Sequence, residues 1–439
     1  MSYPVEGLWG EYNEERDRSH IEMCGGYILD MKESFHQNYP FDYWMGWSTY
    51  FNHDNIYASD FFQYPETKGM DWRTQSGWIY VSSIPTTESE RKEREPKFKE
   101  RIAPFIDDFG KQYGEYTNEL LDLFNKMKVN TSGLSDCELL SLFYDSLMTH
   151  RRGAEIHMII LHSSSIIYIM FEDLFKEILG LDRLSREFND LMAGFDNKIL
   201  ESDRKLFGLS KMAKELGLQA IFEATPNDDE LMSKLEKNEK GKKWLQELSR
   251  FLKEYGWRTG GNWTVSSPSW IEKPSLTFPM VRAFMMQDTY RVGEAQKKLV
   301  AQREKTEKEI LSRVPEDKKD HFTKLMRAAQ WAGLVEEDHV FWTENYQCAI
   351  LRPIIKEMGM RMAAAGALED PFDVQYLIPD EIEWRFMGRT SAKELVNRRK
   401  KLFKEWKQPN PPFCIGDIDK KVDVLLRDPI LKIKLTDRK

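Results

Sequence analysis

The sequence predicts a mostly α-helical protein, a large multi-helix body beneath an irregular, aromatic-rich N-terminal cap that contains little β structure. Three observations lead there. From about residue 104 onward the apolar residues recur at helical spacing. Helix start and stop signals bracket those runs, beginning with the capping box Ser135-x-x-Glu138. Residues 1 to about 90 lack that periodicity and carry scattered aromatics between turn signals such as Asn38-Tyr39-Pro40 and Tyr64-Pro65. The implied organisation is a cap over residues 1–100, a helical body over 101–408, and a Pro-rich linker and tail over 409–439.

Within the cap, Gly77-Trp-Ile-Tyr-Val-Ser-Ser83 is the best strand candidate, aromatic and β-branched, with Pro85 ending it. The charged run Glu88–Arg101 marks a solvated face or the opening of the helical region. The helix begun at Ser135 carries Leu139, Leu140, Leu142, Phe143 and Leu147. It bends or continues through Gly153 into Ile156–Phe171, a stretch read as a buried helix because two His and three Ser make it too polar and too short to span a bilayer comfortably. A further helical region covers Leu184–Glu215, with Gly194 as a possible split and Gly217 as its end. The lysine-rich segment Lys234–Lys243 reads as an exposed helix or loop. A helix from Trp244 ends at Tyr255-Gly256, and Trp257–Trp270 is a loop. Helices are expected over 276–312, 317–333 and 336–365, a turn at Asp370-Pro371, a short extended piece at Val374–Leu377, and a new helix opening at Pro379.

Composition bounds the function. A chain of 439 residues with 41% hydrophobic and 31% charged residues has the make-up of a globular protein with substantial cores. The net charge of −8 offers no basic footprint for nucleic acid. The four cysteines, Cys24, Cys137, Cys348 and Cys414, lie far apart and read as reduced thiols of a cytoplasmic protein. The N-terminus has neither a basic nor an apolar leader segment, so no signal peptide and no membrane attachment are expected. The 13% aromatic share fits core packing, and it also fits a pocket for a flat apolar ligand.

The familiar nucleotide-binding and hydrolytic signatures are missing, so nucleotide chemistry is not placed in this chain. His157 and His162 are five residues apart, a poor spacing for a shared metal, and no metal ligand is assigned. They read either as buried, hydrogen-bonded histidines or, for His157, as a substrate-facing group. In the loop, Gly260-Gly261 permits close backbone approach. Arg258 beside it offers a fork for phosphate or carboxylate, with tying the loop to helix ends as the alternative. His339, in Glu336-Glu-Asp-His-Val-Phe-Trp342, is placed at the head of a helix. There the acidic residues are favoured by the helix dipole, and a histidine beside carboxylates suits proton handling or anion binding.

Several separated segments, in order, resemble the phosphoenolpyruvate synthase-related (PEP-utilising) phosphotransferases. Phe251-Leu-Lys-Glu-Tyr-Gly-Trp-Arg-Thr-Gly-Gly-Asn262 followed by Ser267-Pro-Ser-Trp-Ile-Glu-Lys-Pro274 is similar to that family's "YGHRG" turn and "P-x-W-x-E-x-P" stretch. Glu336–His339 and Gly366–Glu381 resemble its "REDH" helix and "G-L-x-D-P-x-D-V-F-x-L" turn, and Phe195-Asp-Asn-Lys198 sits at a comparable helix start. The resemblance covers residues 100 to 420. It departs at Trp257, which replaces a histidine, at Asn262, near the usual acidic residue, and at Glu336, where arginine is expected.

In such enzymes an ATP-grasp domain phosphorylates a histidine on a swivelling domain, which carries the phosphoryl group to an acceptor. In phenylphosphate synthase and rifampicin phosphotransferase that acceptor is a phenolic or alcoholic hydroxyl held by a helical domain. The resemblance therefore implies that this chain is the acceptor-binding part and is inactive alone. ATP and Mg are expected on a nucleotide-binding domain or subunit outside it, and the phosphohistidine on another. It implies a small hydroxylated, aromatic substrate. On that reading Arg258 is expected to meet the phosphoryl charge, His157 or His339 to accept the proton, and Trp257, Asn262, Trp263 and Trp342 to bind substrate. A partner-docking scaffold without catalysis is the alternative.

Overall fold

The computed structural model describes residues 12–29, 39–45, 51–260, 264–406 and 411–416. As expected the chain is mostly α-helical, with a small antiparallel sheet near its N-terminus. The sheet has four strands, β1 (Gly26–Leu29), β2 (Thr67–Gln75), β3 (Trp78–Pro85) and β4 (Cys414–Gly416), in the order β2-β3-β1-β4. The anticipated strand is β3, and it forms a hairpin with β2 in which Trp72 lies opposite Val81. The fourth strand comes from the segment read as linker. Cys414, Ile415 and Gly416 pair with Ile28, Tyr27 and Gly26, so the chain returns to its own beginning. Tyr80 Oη donates to the Pro412 carbonyl at 2.7 Å and holds that return in place.

The core is organised by one helix, Asp136–Leu179, which runs without interruption through Gly153. Its start is the predicted capping box: Ser135 Oγ accepts from the Glu138 amide, and the Glu138 carboxylate accepts from the Ser135 amide. Gly180, left-handed at φ 71°, ends it. Its most apolar window would suit a membrane by length and composition, but 72% of that window is buried inside the body. Around it pack the helices Phe51–Phe62, Phe109–Met127, Lys319–His339 and Gln347–Ala364. Two aromatic stacks help fix the contacts, Phe171 against Phe188 and Phe175 against Phe322.

A second, smaller hydrophobic cluster gathers Leu206, Phe222, Leu235, Trp244, Leu248, Phe278 and their neighbours. It is built from the helices Lys198–Glu215, Gln219–Ala224, Asp228–Lys237, Glu239–Tyr255 and Phe278–Met285. Gly194, at φ 78°, marks the predicted split ahead of this unit. The lysine-rich segment spans the junction of two of its helices.

Three expectations need correction. The helix expected over 276–312 is broken: Phe278–Met285 is separated from Arg291–Arg313 by Gln287-Asp288-Thr289, a polar run that includes Asp and Thr, residue types that favour turns over helix interiors. The extended piece at Val374–Leu377 lies instead mostly within a 3-10 turn, Pro371–Tyr376. Asp370 caps it by accepting from the Phe372 amide, and Pro371 is preset for a helical start. Finally, the helices expected over 317–333 and 336–365 are one continuous rod from Lys319 to Ala364. An added Cβ at Gly333 would meet nothing within 4 Å, and a single glycine costs a packed helix only about 1 kcal/mol.

Candidate functional site around a π-helical turn

Within that rod, Val340–Tyr346 is a π-helix. Such segments widen the turn to i→i+5 hydrogen bonding and occur often at functional sites. His339 is therefore not at the head of a helix. It closes Lys319–His339, buried at 5% exposure, and the dipole argument for its acidic neighbours does not apply. Glu336 instead accepts from Ser164 and Ser165 of the central helix, at 3.1 and 3.4 Å. Asp338 accepts from Tyr113 Oη at 2.6 Å, from the Lys198 amide at 2.7 Å and from Trp342 Nε1 at 3.3 Å. One carboxylate thus joins three elements, and burial raises the Tyr113 hydroxyl's pKa well above its ordinary value.

The π-turn draws together residues that the sequence separates by more than 180 positions. His157, 3% exposed, has Nδ1 at 2.9 Å from Thr343 Oγ1, and Thr343 Oγ1 donates to the His339 carbonyl at 2.8 Å. The two imidazoles lie with centroids 4.8 Å apart. His339 Nδ1 is 2.7 Å from the Val335 carbonyl, and its Nε2 is 3.8 Å from Glu344 Oε1. His162, the other histidine of the apolar stretch, faces elsewhere: its Nε2 is 3.2 Å from Asn55 Oδ1 and its ring packs on Tyr64.

Arg258 reaches the same turn through its neighbour. The amide and hydroxyl of Thr259 both donate to Asn345 Oδ1, at 3.0 and 2.9 Å. The guanidinium donates to Ser202 Oγ at 3.0 Å, lies 3.7 Å from Asp203 and sits 4.5 Å over the Trp270 ring. At 3.7 Å the pair does not recover what burial costs either partner. Desolvation lowers the arginine's pKa and raises that of Asp203. Arg258 therefore ties the loop to a helix start and also holds a half-buried charge at the loop's base.

Trp257 stacks on Tyr346 at 4.6 Å, and Trp342 stacks on the same ring at 6.0 Å. Lys128 caps this column, 4.6 Å over Trp257 and 2.8 Å from Tyr346 Oη. Burial pushes the Tyr346 hydroxyl up to about 12 and lowers the Lys128 ammonium. Asn262 and Trp263, also expected to bind substrate, lie outside the described residues. The loop beyond them is clamped by the cap: Asp42 accepts from Thr264 Oγ1 at 2.7 Å and from the Val265 amide at 3.0 Å. Arg352 donates to the Val265 and Ser266 carbonyls from below.

Sequence reasoning missed Lys128, Asp338, Thr343, Glu344, Asn345 and Tyr346. The available signal was Thr-Glu-Asn set between Trp342 and Tyr346, three polar residues in a row where a core helix would bury at least one without a partner. Two clefts lie elsewhere. One, of about 210 Å³, is lined by Tyr64, Phe98, Ile166 and Met170, and the other, of about 200 Å³, by Phe109, Arg327 and Trp331. Neither is lined by a residue expected from the sequence to act on substrate.

Residues 157–336 match the family model for the rifampicin phosphotransferase fourth domain. This part of the helical body is thus similar to the helical domain of PEP-utilising-related phosphotransferases. Among curated proteins, this phosphotransferase-related chain is 26% identical over 266 residues to an uncharacterized phosphotransferase, YvkC, of Bacillus subtilis, covering 60% of the chain and 31% of that protein. It is 26% identical over 200 residues to a rifampicin phosphotransferase of Streptomyces sviceus, covering 44% and 23%. It is also 25% identical over 356 residues to chondramide synthase cmdD of Chondromyces crocatus, covering 77% of the chain and 9% of that protein. The chain thus spans less than a third of the length of these relatives. The matched span holds His157, Trp257 and Arg258, and stops three residues short of His339.

Proposed function

We propose that this helical body holds the acceptor hydroxyl of a small, aromatic compound while a phosphoryl group arrives from a phosphohistidine carried by another domain or subunit. That histidine would be charged by an ATP-grasp partner with ATP and Mg. The observation that carries the reading is the convergence at the π-turn of His157, His339 and the Arg258 loop, in a body related to phosphotransferases. The occurrence of rifampicin phosphotransferases among the relatives supports a hydroxyl acceptor other than pyruvate.

Transfer requires the acceptor oxygen in line with the phosphorus, a sink for its proton, and charge opposite the phosphoryl oxygens. Arg258, held over Trp270 and only loosely paired with Asp203, is the candidate for the charge. The buried cluster of His157 and His339 is the candidate proton sink. Trp257 and Trp342, half-buried and both stacked on Tyr346, are the candidate walls for a flat ring, and Asn262 and Trp263 are the other residues expected to bind it.

The test is reconstitution. The full chain is mixed with a phosphohistidine-bearing partner and a panel of phenols, and product is followed by phosphorus NMR. Arg258→Ala is expected to lower transfer about 100-fold, and Arg258→Lys to recover part of it. Undiminished transfer by Arg258→Ala overturns its role. The deep burial of both histidines favours one second reading, a non-catalytic scaffold that docks partner subunits. Partner binding without any phenol binding by calorimetry would decide for it.

A further inference from the structure

The same turn contains a feature that phosphoryl transfer does not require. One ligand-type atom each from His157, His339 and Glu344 all lie within 4.8 Å of one another, and the three residues are 3, 5 and 4% exposed. The hydrogen bonds around the rings fix how each imidazole is protonated. Thr343 Oγ1 spends its single proton on the His339 carbonyl, so it must accept from His157 Nδ1. The Val335 carbonyl can only accept, so His339 Nδ1 also carries a proton. In a neutral ring each arrangement leaves the lone pair on Nε2. An imidazole whose Nδ1–H is bound to oxygen, with Nε2 as the remaining donor, is the usual arrangement of a metal-ligating histidine.

The π-turn supplies the third donor. With i→i+5 pairing, Glu344 rises above His339 and comes to 3.8 Å from its Nε2, whereas α-helical geometry would turn a residue five positions on away from it. His157 and His162, whose spacing disfavours a shared metal, are sent in different directions by the fold. The partner of His157 comes from 182 positions further along.

We infer that His157, His339 and Glu344 form a buried site for a divalent transition-metal ion of the zinc class. Two imidazoles and one carboxylate are borderline donors suited to such an ion, and water would complete its coordination. Ligand atoms about 2 Å from an ion lie roughly 3–3.5 Å apart, so the side chains close by about 1 Å on binding. The ion pins the π-turn to the central helix. A second cluster, His53, Asp54 and Glu155, lacks this character: the Arg151 guanidinium is 2.9 Å from His53 Nε2, and Arg151 and Arg152 both pair with Glu155. Those cations already occupy the place an ion would take.

The inference rests on these three residues and not on phosphoryl transfer. If both hold, the imidazoles would be engaged by the ion, and the base would come instead from a coordinated water, whose lowered pKa would let it release a proton to solvent before it takes the acceptor's. The full chain, stripped with chelator, is titrated with zinc by calorimetry and with cobalt by visible absorption. One equivalent is expected, with cobalt bands of a nitrogen-and-oxygen site. Glu344→Gln and His157→Gln, checked for folding by circular dichroism, should each weaken zinc binding about tenfold or more. His53→Ala should leave it unchanged. Absence of zinc and cobalt binding in the unaltered chain overturns the proposal. So does loss through His53→Ala, or unweakened binding in both glutamine variants. No phosphoryl donor enters the experiment, so its failure leaves the transfer reading intact, and failed transfer leaves this one intact.

Discussion

The two hydrophobic clusters of this molecule are assembled in different ways. The smaller draws its residues from Leu206 to Met285, so its helices are near neighbours in the chain. The larger collects residues from Ile28 to Phe403 around one long helix, and so joins elements far apart in the sequence. The candidate site lies at their seam. Trp257 and Arg258 leave the last turn of a helix in the smaller unit, while His157, His339 and the π-turn belong to the larger. A locally built unit can shift as a body against a globally built one, and a site between them can tighten or open without unfolding either.

Four perturbations bear on that contrast. The largest is Trp244→Ala. This fully buried indole donates to the Leu209 carbonyl and packs on Phe222 and Phe278. Its loss should cost about 3–5 kcal/mol. Hydrogen exchange should show residues 198–285 losing protection while the central helix keeps it. Equal loss across both clusters would mean that they unfold as one.

Acid should act in the opposite place. The sequence has no histidine between His162 and His321. His150, fully buried on the central helix, has its pKa lowered by burial from 6.5 to about 3. Between those values the unfolded imidazole binds a proton and the folded one does not, so falling pH favours unfolding by up to about 1.4 kcal/mol per unit. Denaturant titrations from pH 7 to 4 should show this slope. His150→Gln should flatten it, and a slope that survives the change would assign the acid sensitivity to other groups.

Gly359→Ala tests the larger cluster without touching the site. The new methyl would sit 2.1 Å from the Pro371 carbonyl oxygen, a backbone atom, and should cost about 1–3 kcal/mol in thermal melts. An unchanged melting temperature would mean that the Pro371–Tyr376 turn gives way freely. The smallest effect belongs to Ser135→Ala, which removes half the capping box of the central helix and should cost about 1 kcal/mol. That loss should appear as fraying at residues 136–140, with Trp244 undisturbed.

What could be read from the sequence follows the same division. Ser135 and Glu138, Gly194, Gly217 and Pro379 announce their helix ends through interactions within a few residues, and each does so correctly. Arg258 and His157 stand out because their types are unusual in their surroundings; His157 meets the π-turn directly, and Arg258 only through its neighbour Thr259. What escaped was non-local. The gap expected between residues 333 and 336 is absent, and the rod that spans it packs along the central helix. Glu344 and Thr343 looked like ordinary helix positions because nothing local marks the wider turn, and the contact of Thr343 with His157 spans 186 positions. Cys414–Gly416 looked like linker because its partner lies almost 390 residues earlier.

That last pairing bears on how the protein is made. As the chain leaves the ribosome, β2 and β3 can zip together early, but the outer edge of β1 has no strand to cover it until Cys414–Gly416 has emerged. An uncovered strand edge is an invitation to pair with another nascent chain. Completion of this small sheet therefore waits until residues 414–416 have been made, and a polypeptide stopped before residue 414 would leave that edge available for aggregation.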